Sequence, residues 1–312
     1  MAPLSSSASP ALASATSRGP IQRLPGIAPK LSYVGRRFHA WWEGYAFDPY
    51  VERRSVLLQH SRAGRPLASL DDQADLVAEA IWGPGRIEPG SPAWTLHLAR
   101  SLMIDTHARV AVLGAGRGAP LLDLKTGTRW RTTGYTRRAC PAQGVRLIDY
   151  SHLRKRAGRN TMDGGMILFE AHRESDVVQP FRLLSDLIGA GGKGVAVDFT
   201  VPRREIRLKS AFASPWQGVA HPAATLREAA EKSRFDVIGE VDDTPTFIPL
   251  VRQGWAGWRS AWQILNGVAD NRQRAGLVTL LGTHANLWAE RLEALEAGYL
   301  QVTRLILEKR HH

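Results

Sequence analysis

The stretch that most restricts this chain is Arg109-Val-Ala-Val-Leu-Gly-Ala-Gly-Arg-Gly118. Its apolar residues, Val110 to Leu113, run straight into three glycines spaced G-x-G-x-G. A short apolar run bounded by a turn reads as a buried strand, since a helix would need roughly ten residues or more. Glycine lets the backbone bend sharply and approach a nucleotide-like ligand closely at the carboxyl end of a first strand. An ordinary strand-to-helix turn selects glycine for steric reasons too. The spacing also differs from the G-x-G-x-x-G of dinucleotide enzymes.

The residues after Ala108 extend this into a fold. Arg129–Tyr135, Val145–Asp149, Met166–Phe169, Lys193–Phe199, Phe235–Val241 and Leu300–Leu307 read as further strands. Between them, Asp176–Ile188 reads as a helix closed by Gly189 and Gly191-Gly192, Pro222–Lys232 as another, and a long helical region follows Val241. Strands alternating with helices predict an α/β chain with a doubly wound, mostly parallel sheet. Upstream, Asp71 and Asp72 open a helical pattern striped by Leu76, Val77, Ala80 and Ile81, ended by Trp82-Gly-Pro-Gly85. A second helix is expected over Ser91–Met103. Residues 1–30 hold neither an acidic nor an aromatic residue and predict a disordered tail, although the same composition suits an organelle transit peptide. The expected domains are this tail, a helical and aromatic cap over 31–105 that includes Phe38 to Tyr50, and a Rossmann-like domain over 106–312.

Composition excludes some classes of protein. One cysteine, Cys140, in 312 residues excludes an internal disulfide framework and a cysteine-rich metal site. A cytoplasmic home fits that usage. No apolar run approaches the ~20 residues of a membrane helix, and no His, Asp and Glu spacing reads as a metal site. The formal net charge is +12. It reads either as an Arg-rich solvated surface or as attraction to nucleic acid or an acidic membrane surface. The basic residues come in short groups: Arg36-Arg37, Arg137-Arg138, Arg154-Lys155-Arg156 and Arg203-Arg204.

The glycine turn resembles motif I of the class I S-adenosylmethionine (SAM) methyltransferases. Trp82-Gly-Pro-Gly-Arg-Ile-Glu-Pro-Gly90 resembles the segment that closes over SAM in phosphoethanolamine and other small-amine N-methyltransferases, with Gly90-Ser91 where two glycines are usual. Gly191-Gly-Lys-Gly-Val-Ala-Val-Asp-Phe199 resembles the turn and fifth strand of that family, and Phe235–Thr244 and Leu287–Arg304 its closing elements. The resemblance implies a seven-stranded sheet. It implies SAM as cofactor, with Gly114, Gly116 and Gly118 at its methionine end, Gly90 in the segment that closes over it and Asp149 at its adenine amino group. Asp198 is then a substrate contact, or alternatively a residue that merely caps the following loop. His172, in the charged run Phe169-Glu-Ala-His-Arg-Glu-Ser-Asp176, is the best general base by its ordinary pKa. Solvation of a loop is the competing role for each charged residue there.

One position departs from the family. Thr136 stands at the end of the second strand, where a carboxylate accepts both ribose hydroxyls. Losing a charged hydrogen bond costs about 1.5–3 kcal/mol. Three functions follow: methylation of a small molecule such as an amine or lipid headgroup, a degenerate fold kept as a binding or regulatory partner, and, from charge alone, a nucleic-acid methyltransferase or binder. Trp255, Trp258 and Trp262 read as a core or lid stripe before an aromatic cage.

Overall fold

The computed structural model describes residues 70–137, 144–150, 160–202, 219–268 and 270–311. The expected tail, the aromatic stretch 38–50, Cys140 and the basic groups at 36–37, 154–156 and 203–204 lie outside the described residues, as does Arg138.

One sheet organises the described chain. Its strands are β1 (Arg109–Leu113), β2 (Arg131–Thr136), β3 (Leu147–Asp149), β4 (Met162–Leu168), β5 (Ile188–Val201), β6 (His221–Pro222), β7 (Phe235–Asp242) and β8 (Gln301–Lys309). Their order is β3-β2-β1-β4-β5-β8-β7, with the two-residue β6 paired to β5. All pairs are parallel except those of β8, which inserts antiparallel between β5 and β7. This is the doubly wound α/β sheet expected from the sequence.

Eight helices accompany it among the described residues: α1 (Leu70–Trp82), α2 (Pro92–Arg100), α3 (Ala119–Gly127), α4 (Val178–Leu187), α5 (Ala223–Lys232), α6 (Thr244–Ala256), α7 (Trp258–Asn266) and α8 (Asn271–Glu296). Alternation along β1 divides them between the two faces of the sheet. Val110 and Val112 pack with Trp94 and Leu98 of α2, and with Leu121 and Leu124 of α3. Ala111 and Leu113 face Phe181 and Leu184 of α4 and the buried side of α5. A strand covered on both faces has no polar side, which is why β1 reads as a continuous apolar run. Phe247 and Trp288 bring α6 and α8 onto the α2–α3 face. The helix start predicted at Ser91 is a true cap, its hydroxyl accepting from the Trp94 N–H at 3.1 Å.

Two local expectations fail. Gly189, Gly191 and Gly192 do not close a helix by a left-handed cap. The helix stops at Leu187, and Ile188 is already extended with φ −88° and ψ 140°. Those glycines form an irregularity inside β5, where the partner of Met162 is Ile188 and that of Gly164 is Lys193. Strand β4 also starts four residues earlier than Met166. Gly164 and Gly165 mask it, because glycine reads as a turn. Here a Cβ on Gly165 would press on the Leu184 side chain, so glycine lets α4 sit close to the sheet.

Candidate functional site

The glycine turn takes the conformation its sequence demands. Gly114, Gly116 and Gly118 have φ of +75°, +55° and +104°, which side-chain-bearing residues adopt at a cost. A Cβ on Gly114 would also collide with the Leu168 carbonyl oxygen at the end of β4. The Gly114 N–H donates to the Tyr135 carbonyl and the Tyr150 hydroxyl, each at 3.1 Å. Burial pushes the Tyr150 hydroxyl well above its usual pKa, with Glu170 adding to it, so it stays protonated.

Strand register aligns the other expected cofactor residues with this turn. Leu113 pairs with Tyr135 and Tyr135 with Ile148; one step on, Thr136 pairs with Asp149. Gly114, Thr136 and Asp149 therefore form a row across the carboxyl ends of β1, β2 and β3. Thr136 is buried and Asp149 half-buried.

The segment between α1 and α2 lies over the turn. The Gly85 carbonyl accepts from the N–H groups of Arg117 (3.1 Å) and Ala119 (3.2 Å), donors at the start of α3. The Gly85 N–H donates to Glu79 Oε1 at 2.6 Å. Arg86 pairs with Asp123, which also accepts from the Thr95 hydroxyl at 2.7 Å. Gly90 and Ile87 help wall a cavity of about 40 Å³ against Gly114, Gly116 and Phe169.

Beyond the turn lies a buried ionic cluster. Glu88 pairs with Arg173, and Arg291 Nη1 lies 3.7 Å from Glu88 Oε2. Burial alone would raise the Glu88 carboxyl, but Arg173 and Arg291 together hold it below its usual pKa. The Arg291 guanidinium sits 4.9 Å from the Phe199 ring centre and 4.8 Å from that of Trp288, and burial lowers its pKa to about 10. Glu170, itself buried, accepts from Arg137 Nε at 3.3 Å. Burial raises its carboxyl above the usual range, with Arg173 opposing.

His172 and Asp198 form a dyad at the ends of β4 and β5. The Asp198 carboxylate lies 2.6 Å from His172 Nδ1. It also accepts from the N–H groups of Ala171 (2.6 Å), His172 (3.2 Å) and Phe199 (2.7 Å). Asp198 thus caps the 3₁₀ turn Ala171–Arg173 as well as orienting the imidazole. Burial lowers the His172 pKa, with Asp198 opposing, so the ring is neutral at pH 7. Glu170 and His172 are 3% and 1% exposed, which rules out a solvated loop for either.

Sequence reasoning passed over Glu88, Arg173, Arg291 and His284. Glu88 lay within a segment valued for its glycines. Arg291 and His284 lie on a long helix, where spacing does not separate a buried cation from a solvated one. The tryptophan stripe divides: Trp255 and Trp258 are ring neighbours at 5.5 Å, whereas Trp262 is exposed.

No protein-family model matches the chain, and no curated protein matches its sequence. Solved structures do match its fold. The chain is similar to Haemonchus contortus phosphoethanolamine N-methyltransferase 2 at 16% identity and a TM-score of 0.62, covering 78% of this chain and 61% of that one. It is similar to geranyl diphosphate C-methyltransferase from Streptomyces coelicolor A3(2) at 15% identity and 0.52, covering 70% and 78%. The [4+2]-cyclase SpnF matches at 14% and 0.57, covering 76% and 94%. The fold is that of the class I SAM-dependent methyltransferases. The chain spans about three fifths of the phosphoethanolamine enzyme's length.

Proposed function

We propose that this chain is a SAM-dependent methyltransferase acting on a small molecule, with an amine or a lipid headgroup as acceptor. The observation that carries the reading is the His172–Asp198 dyad, set at the same sheet edge as the positive-φ glycine turn. The residues fit the cofactor in two respects: a turn only glycine accommodates, and a buried Glu88 Oε2 with no hydrogen-bond partner beside the cavity. When bound, SAM supplies a methyl group already activated by its sulfonium.

The chain's own residues then position and deprotonate the acceptor. Gly114, Gly116 and Gly118 bring the backbone close to the methionine end, and Gly90 closes from above. Asp198 accepts a hydrogen bond from the Nδ1–H of His172, which leaves Nε2 as the basic nitrogen; this tautomer is assigned from the contact. A neutral, oriented imidazole accepts the acceptor's proton. A cavity of about 40 Å³ has room for a few water molecules but not for an adenosyl ligand, so ligand entry displaces the segment 83–90. Gly83 and Gly85, with φ of +101° and +74°, are its turning points.

Calorimetric titration with SAM and S-adenosylhomocysteine (SAH), followed by a methyl-acceptor screen, tests the reading. No heat at millimolar ligand sinks it. Thr136 and the ion pairs of Glu88 favour a second reading, a fold that has lost turnover and serves as a binding or regulatory partner. Tight SAM binding with methyl transfer by the natural chain excludes that alternative.

A further inference from the structure

Two guanidiniums sit beside the glycine turn. Arg173 follows His172 in the 3₁₀ turn that Asp198 caps, and it lines the same cavity as Gly114 and Gly116. Arg291 arrives from α8, is 2% exposed and lies over the Phe199 ring, whose centre is 5.2 Å from that of His172. Both cations therefore border the proposed base.

Glu88 is the carboxylate that the two share. A buried ion pair adds little stability over apolar packing of the same volume, so folding alone gives weak reason to keep this one. The pairing is also incomplete. Arg173 Nε and Trp288 Nε1 are buried with no hydrogen-bond partner among the described residues, and the Trp288 ring lies under Arg291. Both atoms only donate, so what they lack is an acceptor. The neighbouring carboxylates are engaged: Glu170 holds Arg137, and Asp198 holds the His172 turn.

Glu88 belongs to the segment 83–90, which ligand entry displaces, whereas Arg173 and Arg291 do not. Moving the segment takes the carboxylate away and leaves two buried cations short of a negative charge. That state is costly unless another anion arrives. A carboxylate or a phosphate matches the guanidinium fork and brings acceptors for the orphaned donors.

We infer, on the methyltransferase reading above, that Glu88 stands in for an oxyanion of the methyl acceptor, and that Arg173 and Arg291 seat a carboxylate or phosphate group of that substrate once the segment opens. An acceptor anchored there has its methyl-accepting atom beside His172. A neutral acceptor leaves the arginines uncompensated and the segment closed.

Thermal unfolding with inorganic phosphate and with acetate, each against chloride at equal ionic strength, tests the seat without cofactor. Glu88→Gln vacates it. The favoured anion at about 10 mM then raises that variant's melting temperature by roughly 5–10 °C, the effect of a ligand at about a hundred times its Kd. The natural chain, still closed by Glu88, does not respond. The anion with the larger shift distinguishes a carboxylate from a phosphate source. Adding Arg291→Met abolishes the shift in protein that circular dichroism shows to be folded. Calorimetry on the natural chain needs no variant: saturating SAH tightens the same anion at least tenfold, since an open segment frees the arginines. A flat response in folded Glu88→Gln, or SAH binding that leaves both anions unmoved, overturns the oxyanion seat and leaves the cofactor reading standing. No SAH binding by the natural chain overturns the methyltransferase reading, and the substrate assignment with it.

Discussion

His284 on α8 carries a stability cost that acid should reveal. Its ring accepts from Trp82 Nε1 at 3.2 Å and lies against Trp288. Burial lowers its pKa to about 4, with Glu88 opposing and Arg291 and Arg173 reinforcing the shift. The unfolded chain protonates this histidine near pH 6.5 and the folded chain does not. Between pH 6.5 and 4 the unfolded state therefore binds the extra proton, and stability falls as pH falls. A shift of about 2.5 units at 1.36 kcal/mol each makes the loss about 3 kcal/mol by pH 4. His284→Gln keeps an acceptor for the Trp82 indole but cannot titrate. Urea unfolding followed by far-UV circular dichroism at pH 7.5, 6, 5 and 4.5 should show the natural chain losing about 2.5 kcal/mol more than the variant across that range. Parallel pH curves for the two proteins would refute the buried, neutral state of His284.

Other residues give further tests. Asp198→Asn should lower kcat more than it raises KM, since it disturbs the imidazole that receives a proton rather than the binding contacts; methyl transfer at saturating acceptor checks this. Because the His172 pKa is lowered, the acid limb of kcat/KM should lie below pH 6.5, and a limb above 6.5 would remove His172 as the base. Glu88→Gln leaves Arg173 and Arg291 buried with uncompensated charge and should cost about 3–5 kcal/mol in urea unfolding. Combining it with Arg291→Met should recover part of that loss. Gly114→Ala combines a φ of +75° with a clash against the Leu168 carbonyl and should cost about 2–6 kcal/mol by the same assay. Saturating SAH should raise hydrogen exchange at the Arg117 and Ala119 amides if the Gly85 carbonyl leaves them.

The legible part of the fold was the part decided by local pattern. The strand β1 stood out because a two-sided buried strand is apolar throughout, and α2 because Ser91 and Pro92 announce its start. The sequence hid the first half of β4, since Gly164 and Gly165 serve helix packing and look like a turn. The glycine turn and the His172 segment were readable for similar reasons, being short and chemically distinctive. The ionic cluster was not, because Glu88, Arg173 and Arg291 meet from three distant segments. Nor was the pairing of Thr136 with Asp149, which depends on strand register, and register is set by the assembled sheet.

The most direct test of the account is one calorimetric titration of the natural chain with SAH. The account predicts a saturable heat with one ligand bound per chain. It is contradicted by a flat trace up to millimolar SAH on protein whose circular dichroism shows it folded.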